Sequence, residues 1–85
     1  MDREKCISDL ARLYAPFIGQ SYASLSDDQK RILYAVLLWK DGADIEQIVP
    51  ELISKAVEKT LTPEWVDEQI HNTFEYTDDT LVPEW

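Results

Sequence analysis

Eight consecutive apolar residues, Ile32-Leu-Tyr-Ala-Val-Leu-Leu-Trp39, stand just behind the segment Ser26-Asp-Asp-Gln29, and this pairing constrains the fold more than any other feature of the chain. The segment has the form of a capping box. A Ser oxygen can accept from an orphan N–H of the first helical turn, a Gln three residues on can accept from the backbone N–H of the Ser, and two Asp suit the positive end of the helix dipole. A helix over about Asp27 to Lys40 is expected, apolar at nearly every angle and therefore central in the fold. A buried strand is the competing reading, because periodicity alone does not separate the two for an apolar run of this length; the cap and the lack of alternation favour helix. Asp41-Gly42 supplies a stop, since Gly takes the left-handed conformation common at helix C-termini.

The remaining segments follow helical spacing. From about Asp2 to Ala15, Cys6, Ile7, Leu10, Leu13 and Tyr14 share one arc with Phe17 and Ile18, opposite Lys5, Ser8, Asp9 and Arg12. Pro16 should bend or end this helix, and Gly19 opens a loop. Asp44 is the next cap, and Ile45, Ile48, Val49, Leu52, Ile53 and Ala56 form a stripe against Glu46, Gln47, Glu51, Ser54, Lys55 and Glu58. Pro50 falls inside this third segment, so either a kinked helix or one turn followed by a helix beginning at Pro50 is expected. Thr62-Pro63-Glu64 reads as N-cap, first-turn Pro and first-turn acid, starting a fourth helix that runs to about Glu75. The expected fold is all-α: a small four-helix bundle or irregular helical array over residues 1–76, with an extended acidic C-terminal tail over 77–85.

Eighty-five residues with 45% apolar content and nine aromatics provide for one core. The single Cys6 cannot close an internal disulfide, and the first residues, Met-Asp-Arg-Glu-Lys, are charged where a signal peptide is apolar, so a cytoplasmic protein is expected. No apolar run approaches the roughly 20 residues of a membrane-spanning helix. Net charge is −9, and residues 1–42 balance while residues 43–85 set eleven acids against Lys55 and Lys59. A field of that sign repels phosphate backbones and anionic lipids and attracts basic proteins.

The acidity peaks in residues 60–85, which hold seven carboxylates and no Lys or Arg. A near-repeat brackets this segment: Thr60-Leu-Thr-Pro-Glu-Trp65 and Thr80-Leu-Val-Pro-Glu-Trp85. The first copy has a helix to open; the second has none after it, so Tyr76 to Trp85 should run extended, with Thr77 to Thr80 as a turn and Leu81, Val82 and Trp85 docked on the body or on a partner. On the fourth helix Val66, Ile70 and Phe74 face the core, and Glu64, Asp67, Glu68, His71 and Glu75 face away. Four carboxylates over about 17 Å of helix give about one charge per 4 Å, close to the roughly 3.4 Å of one DNA strand. That density fits imitation of a nucleic-acid backbone; the plainer reading is a solvated helix face.

Catalytic chemistry finds little material. Cys6 sits on an apolar face as a small core residue, and no other residue is placed to activate it. Gly19 and Gly42 are the only glycines, so no phosphate-binding loop exists. Asp27-Asp28 and Asp78-Asp79 read as caps and turns. Glu68-Gln-Ile-His71 has the Glu-x-x-His spacing of di-iron bundles, but His71 is the only histidine, so such a site would need two chains. A helix-turn-helix over Ser26 to Lys59 would present Glu46, Glu51 and Glu58 to DNA, the wrong sign.

These observations lead to a non-enzymatic acidic protein-binding domain with no cofactor or metal: an inhibitor or immunity-type factor that occludes the basic surface of a nucleic-acid-binding protein, as a nucleic-acid mimic. The expected partner-binding residues are Glu64, Trp65, Asp67, Glu68, Glu75, Tyr76, Asp78, Asp79, Glu84 and Trp85, with carboxylates steering and aromatics anchoring. The alternative is a homodimeric assembly or accessory subunit that docks through the apolar second helix.

Overall fold

The computed structural model describes residues 3–54 and 57–85, with only the backbone of Val57 and Glu58. The expected helix start at Asp2 and the contributions of Lys55 and Ala56 to the third segment lie outside the described residues. Helix α1 (Arg3–Tyr14) gives way to a 3-10 turn over Ala15–Phe17 at Pro16. A second 3-10 turn, Tyr22–Ser24, leads into α2 (Asp27–Lys40), then α3 (Ile45–Ile53), the single turn α4 (Val57–Thr60) and α5 (Pro63–Thr73). The fold is an all-α helical array, and among the described residues the extended backbone pairs only at an isolated antiparallel bridge, Ser21 with Leu81.

The run of apolar residues is helix, not strand, and its capping box forms. Gln29 N donates to Ser26 Oγ at 3.2 Å, and Ser26 N donates to Gln29 Oε1 at 3.0 Å. At the other end Gly42 takes φ 106°, and the N–H of Ala43 returns to the Leu38 carbonyl at 2.9 Å. Helix α2 packs against α1, α3 and α5, which accounts for its all-round apolar character. Of this run Leu33, Tyr34, Ala35 and Val36 are buried, and Ile32, Leu37, Leu38 and Trp39 are half-buried.

Pro50 does not split α3. The Asp44 carboxylate accepts from Glu46 N at 3.0 Å, the helix continues through Pro50 to Ile53, and the N–H of Ser54 closes it on the Pro50 carbonyl at 3.1 Å. The ring removes one backbone donor, but burial of Ile45 and Val49 holds the segment helical.

The core draws on every long helix: Cys6, Leu10, Tyr14, Leu33, Val36, Ile45, Val49, Val66 and Ile70 are all buried, joined by Phe17 and Tyr22 from the 3-10 turns. Arg31 is the buried charge among them. Its Nε donates to the Leu61 carbonyl at 2.7 Å and its guanidinium reaches Asp28 at 2.9 Å, bracing the chain just ahead of α5. Such hydrogen bonding is what makes a buried guanidinium tolerable.

Candidate partner-binding face

Helix α5 starts where the sequence places it. The Thr62 hydroxyl accepts from Trp65 N at 3.4 Å, Pro63 occupies the first turn, and Val66 and Ile70 are fully buried against the core. That orientation sends Glu64 and Glu68, one helical turn apart, to solvent with Trp65 between them. Trp65 is 40% exposed, with its ring edge against Tyr34 at 5.5 Å.

The expected row of four outward-facing helical carboxylates, Glu64, Asp67, Glu68 and Glu75, is not what α5 carries. The helix ends at Thr73, and Glu75 lies beyond it at φ 59°, a left-handed conformation usually left to Gly, from which the chain turns so that Tyr76 N reaches the Ile70 carbonyl at 3.3 Å. Asp67 turns toward the body. It accepts from the hydroxyl of buried Tyr22 and lies 3.4 Å from Lys30 Nζ. The Tyr22 hydroxyl holds the Asp67 carboxyl below the usual range; partial burial opposes this, and Lys30 adds to the lowering. Burial and the same carboxylate push the Tyr22 phenol well up. Asp67 is thus a fastening between α5, α2 and the loop, and the rhythm that suggested a nucleic-acid backbone is broken at two of its four members.

His71 extends the fastening. The Tyr76 carbonyl can only accept, so His71 Nδ1–H donates to it, at 2.6 Å. Nε2 faces Asp67 at 3.5 Å and the largely exposed Asp78 at 3.9 Å, and the ring stands edge-on to Tyr22 at 5.1 Å. Among the described residues no group of three or more His, Cys, Asp or Glu is arranged to hold a metal ion. Cys6 is buried within the core at α1.

The tail lies along the loop that follows α1. Gly19 N and Val82 N exchange hydrogen bonds with the Val82 and Gln20 carbonyls at 2.8 and 2.9 Å, Tyr22 N donates to Thr80 at 2.8 Å, and Ala23 N donates to Asp78 at 3.1 Å. Val82 is 2% exposed, the Tyr14 hydroxyl donates to the Pro83 carbonyl, and Trp85 stacks on Trp39 at 4.9 Å with Lys40 Nζ over both rings. Burial, aided by the nearby Tyr76, pushes the Tyr14 phenol up to about 12. The second Pro-Glu-Trp therefore has a place in the fold, with Leu81 outside it and Trp85 still 39% exposed.

The ten expected residues divide accordingly. Asp67, Tyr76 and Trp85 are engaged by their own chain, Tyr76 through its ring against Tyr22 at 6.1 Å. Glu64, Glu68, Glu75, Asp79 and Glu84 are exposed, and among the described residues no ion pair engages them. Asp78 and Asp79 project from a turn closed by Thr80 N on Thr77 O at 3.1 Å. Tyr22, Lys30 and Arg31, which position this face, had no local signal, because each acts on residues far along the chain. No helix among the described residues is long and apolar enough to cross a membrane. Comparison with protein families, with curated proteins and with solved structures gives no match.

Proposed function

We propose that the chain is a non-enzymatic acidic binding domain, an inhibitor or immunity-type factor, that lays the exposed face of α5 and the turn beyond it against a basic surface of a nucleic-acid-binding protein. The observation that carries this reading is the pairing of exposed Glu64 and Glu68, engaged by no ion pair among the described residues, with a 40% exposed Trp65, in a segment from residue 60 onward without a single Lys or Arg. Exposed carboxylates steer a basic partner, and a tryptophan among them supplies the desolvated anchor that bare charge lacks. Glu75, Asp78, Asp79 and Glu84 extend the negative field past the end of the helix. Direct binding of nucleic acid or of an anionic membrane runs against the same field.

The test keeps the tail in place, because removing Val82 would open the core. The intact chain and a Glu64→Lys, Glu68→Lys, Asp79→Lys variant are compared in affinity capture from the native host, and the captured protein is assayed for nucleic-acid binding in the presence of each. The reading expects a basic protein that is captured by the intact chain, released from its nucleic acid, and lost by the variant. Equal capture by both chains, or capture with nucleic-acid binding untouched, contradicts it.

A further inference from the structure

Between α2, α3 and α5 a groove opens beside Trp65, with a cavity of about 140 Å³ walled by Leu38, Ile48, Leu52, Leu61, Tyr34 and Trp65. Ala35, 4% exposed, contributes only a methyl group to it. The volume matches the roughly 150 Å³ apolar cavity that stays dry and accepts benzene, so it suits one aromatic or branched aliphatic side chain and not a polar one. Among the described residues a single charged one, Glu51, lines it. Trp65, one of the walls, carries exposed Glu64 beside it and exposed Glu68 one turn further on. An incoming segment therefore meets an apolar slot with Glu51 in its wall and Glu64 and Glu68 on the helix that carries Trp65.

We infer that this groove receives one Phe-, Leu- or Ile-like side chain projecting from a Lys- or Arg-bearing segment of the partner protein. The basic flank rests on the binding role proposed above, whereas the apolar anchor rests on the groove alone. Docking would cover the exposed edge of Trp65, leaving the carboxylates at the rim to pair the flanking cations, the arrangement of an anchor ringed by polar contacts.

The test uses synthetic peptides and the full chain, followed through the Trp65 indole and the Leu38, Leu52 and Leu61 methyl NMR signals. The peptide acetyl-Lys-Lys-Phe-Lys-Lys-amide is expected to shift these signals, and replacing its Phe by Ala should weaken binding about tenfold or more. Ala35→Leu, which fills the groove, should abolish the advantage of Phe over Ala; should that variant fail to fold, the peptide series on the unaltered chain still decides. Equal binding of the Phe and Ala peptides overturns the groove while leaving the acidic face standing. A peptide with Glu in place of Lys that binds as tightly as the original overturns the basic partner while leaving the slot. No binding by any peptide, or shifts confined to residues away from the groove, overturns both.

Discussion

Replacing Tyr22 by Phe removes one oxygen from a fully buried ring and leaves the packing of that ring intact, so it isolates the bond to Asp67. A hydrogen bond to a charged acceptor contributes about 1.5–3 kcal/mol. The Asp67 side chain is 42% exposed, so solvent screening brings the expectation down to about 1 kcal/mol. For a chain of this size that corresponds to a Tm lower by about 4–8 °C at neutral pH. The pH dependence carries the diagnosis. The folded-state pKa of Asp67 lies below its ordinary 3.8, so its stabilisation is fully present above that value and fades as pH falls through the lowered one. The Tyr22 hydroxyl is the largest cause of the lowering, so in the variant the folded value should return toward 3.8 and the difference in Tm between the two chains should shrink in acid. Circular dichroism melts across neutral and acid pH, with carbon-13 titration of the Asp67 carboxyl, measure both. Equal Tm values at neutral pH, or a difference that does not change with pH while the Asp67 titration stays put, would refute the assignment of Asp67 as a fastening of the fold.

Val82→Ala deletes two buried methyl groups that pin the tail and should cost about 2 kcal/mol; denaturant unfolding measures the loss, and amide exchange at Gly19 and Tyr22 should quicken, whereas unchanged protection there would mean that the tail is not held through Val82. Glu75→Gly relieves a left-handed residue whose strain is about 1–2 kcal/mol, less the extra freedom that Gly gives the unfolded chain, so a net gain of about 0.5 kcal/mol is expected in denaturant midpoint; a loss would show that the Glu75 side chain supports the turn. Ser26→Ala dismantles the capping box and should lower stability by about 1 kcal/mol, again read from the denaturant midpoint, and an unchanged midpoint would deny the box any part in fixing the start of α2.

The helices were legible because their determinants are local. Ser26 and Gln29, Asp44 and Glu46, and Thr62 and Trp65 stand two or three residues apart, and a cap visible in the sequence is the cap that forms. The apolar run of α2 identified the central helix for the same reason: its composition sits within one element. Pro50 was ambiguous because propensity alone cannot weigh a lost N–H against the burial of Ile45 and Val49, which tertiary packing decides. The candidate face was legible in its residue types and not in its geometry. Asp67 is held by Tyr22 and Lys30, 45 and 37 positions away, and Val82 by Gly19 and Gln20, so no periodicity along α5 or the tail could place them. The two copies of the repeat part ways, as expected from the first having a helix to open and the second none. Trp65 is a helix-start residue with an exposed edge, while Trp85 leans on Trp39 and Tyr14, and the six-residue likeness says nothing of either surrounding.

Salt dependence of binding tests the central claim most directly, since dissolved ions screen the attraction between an acidic face and a basic partner, and removing two of the face's charges reduces what there is to screen. The affinity of the captured partner is measured from low to high salt for the intact chain and for a Glu64→Gln, Glu68→Gln variant. The account predicts that the intact chain weakens steeply with salt and that the variant binds less tightly at low salt, with a shallower slope. A salt-independent affinity in the intact chain, or identical slopes for the two, would contradict it.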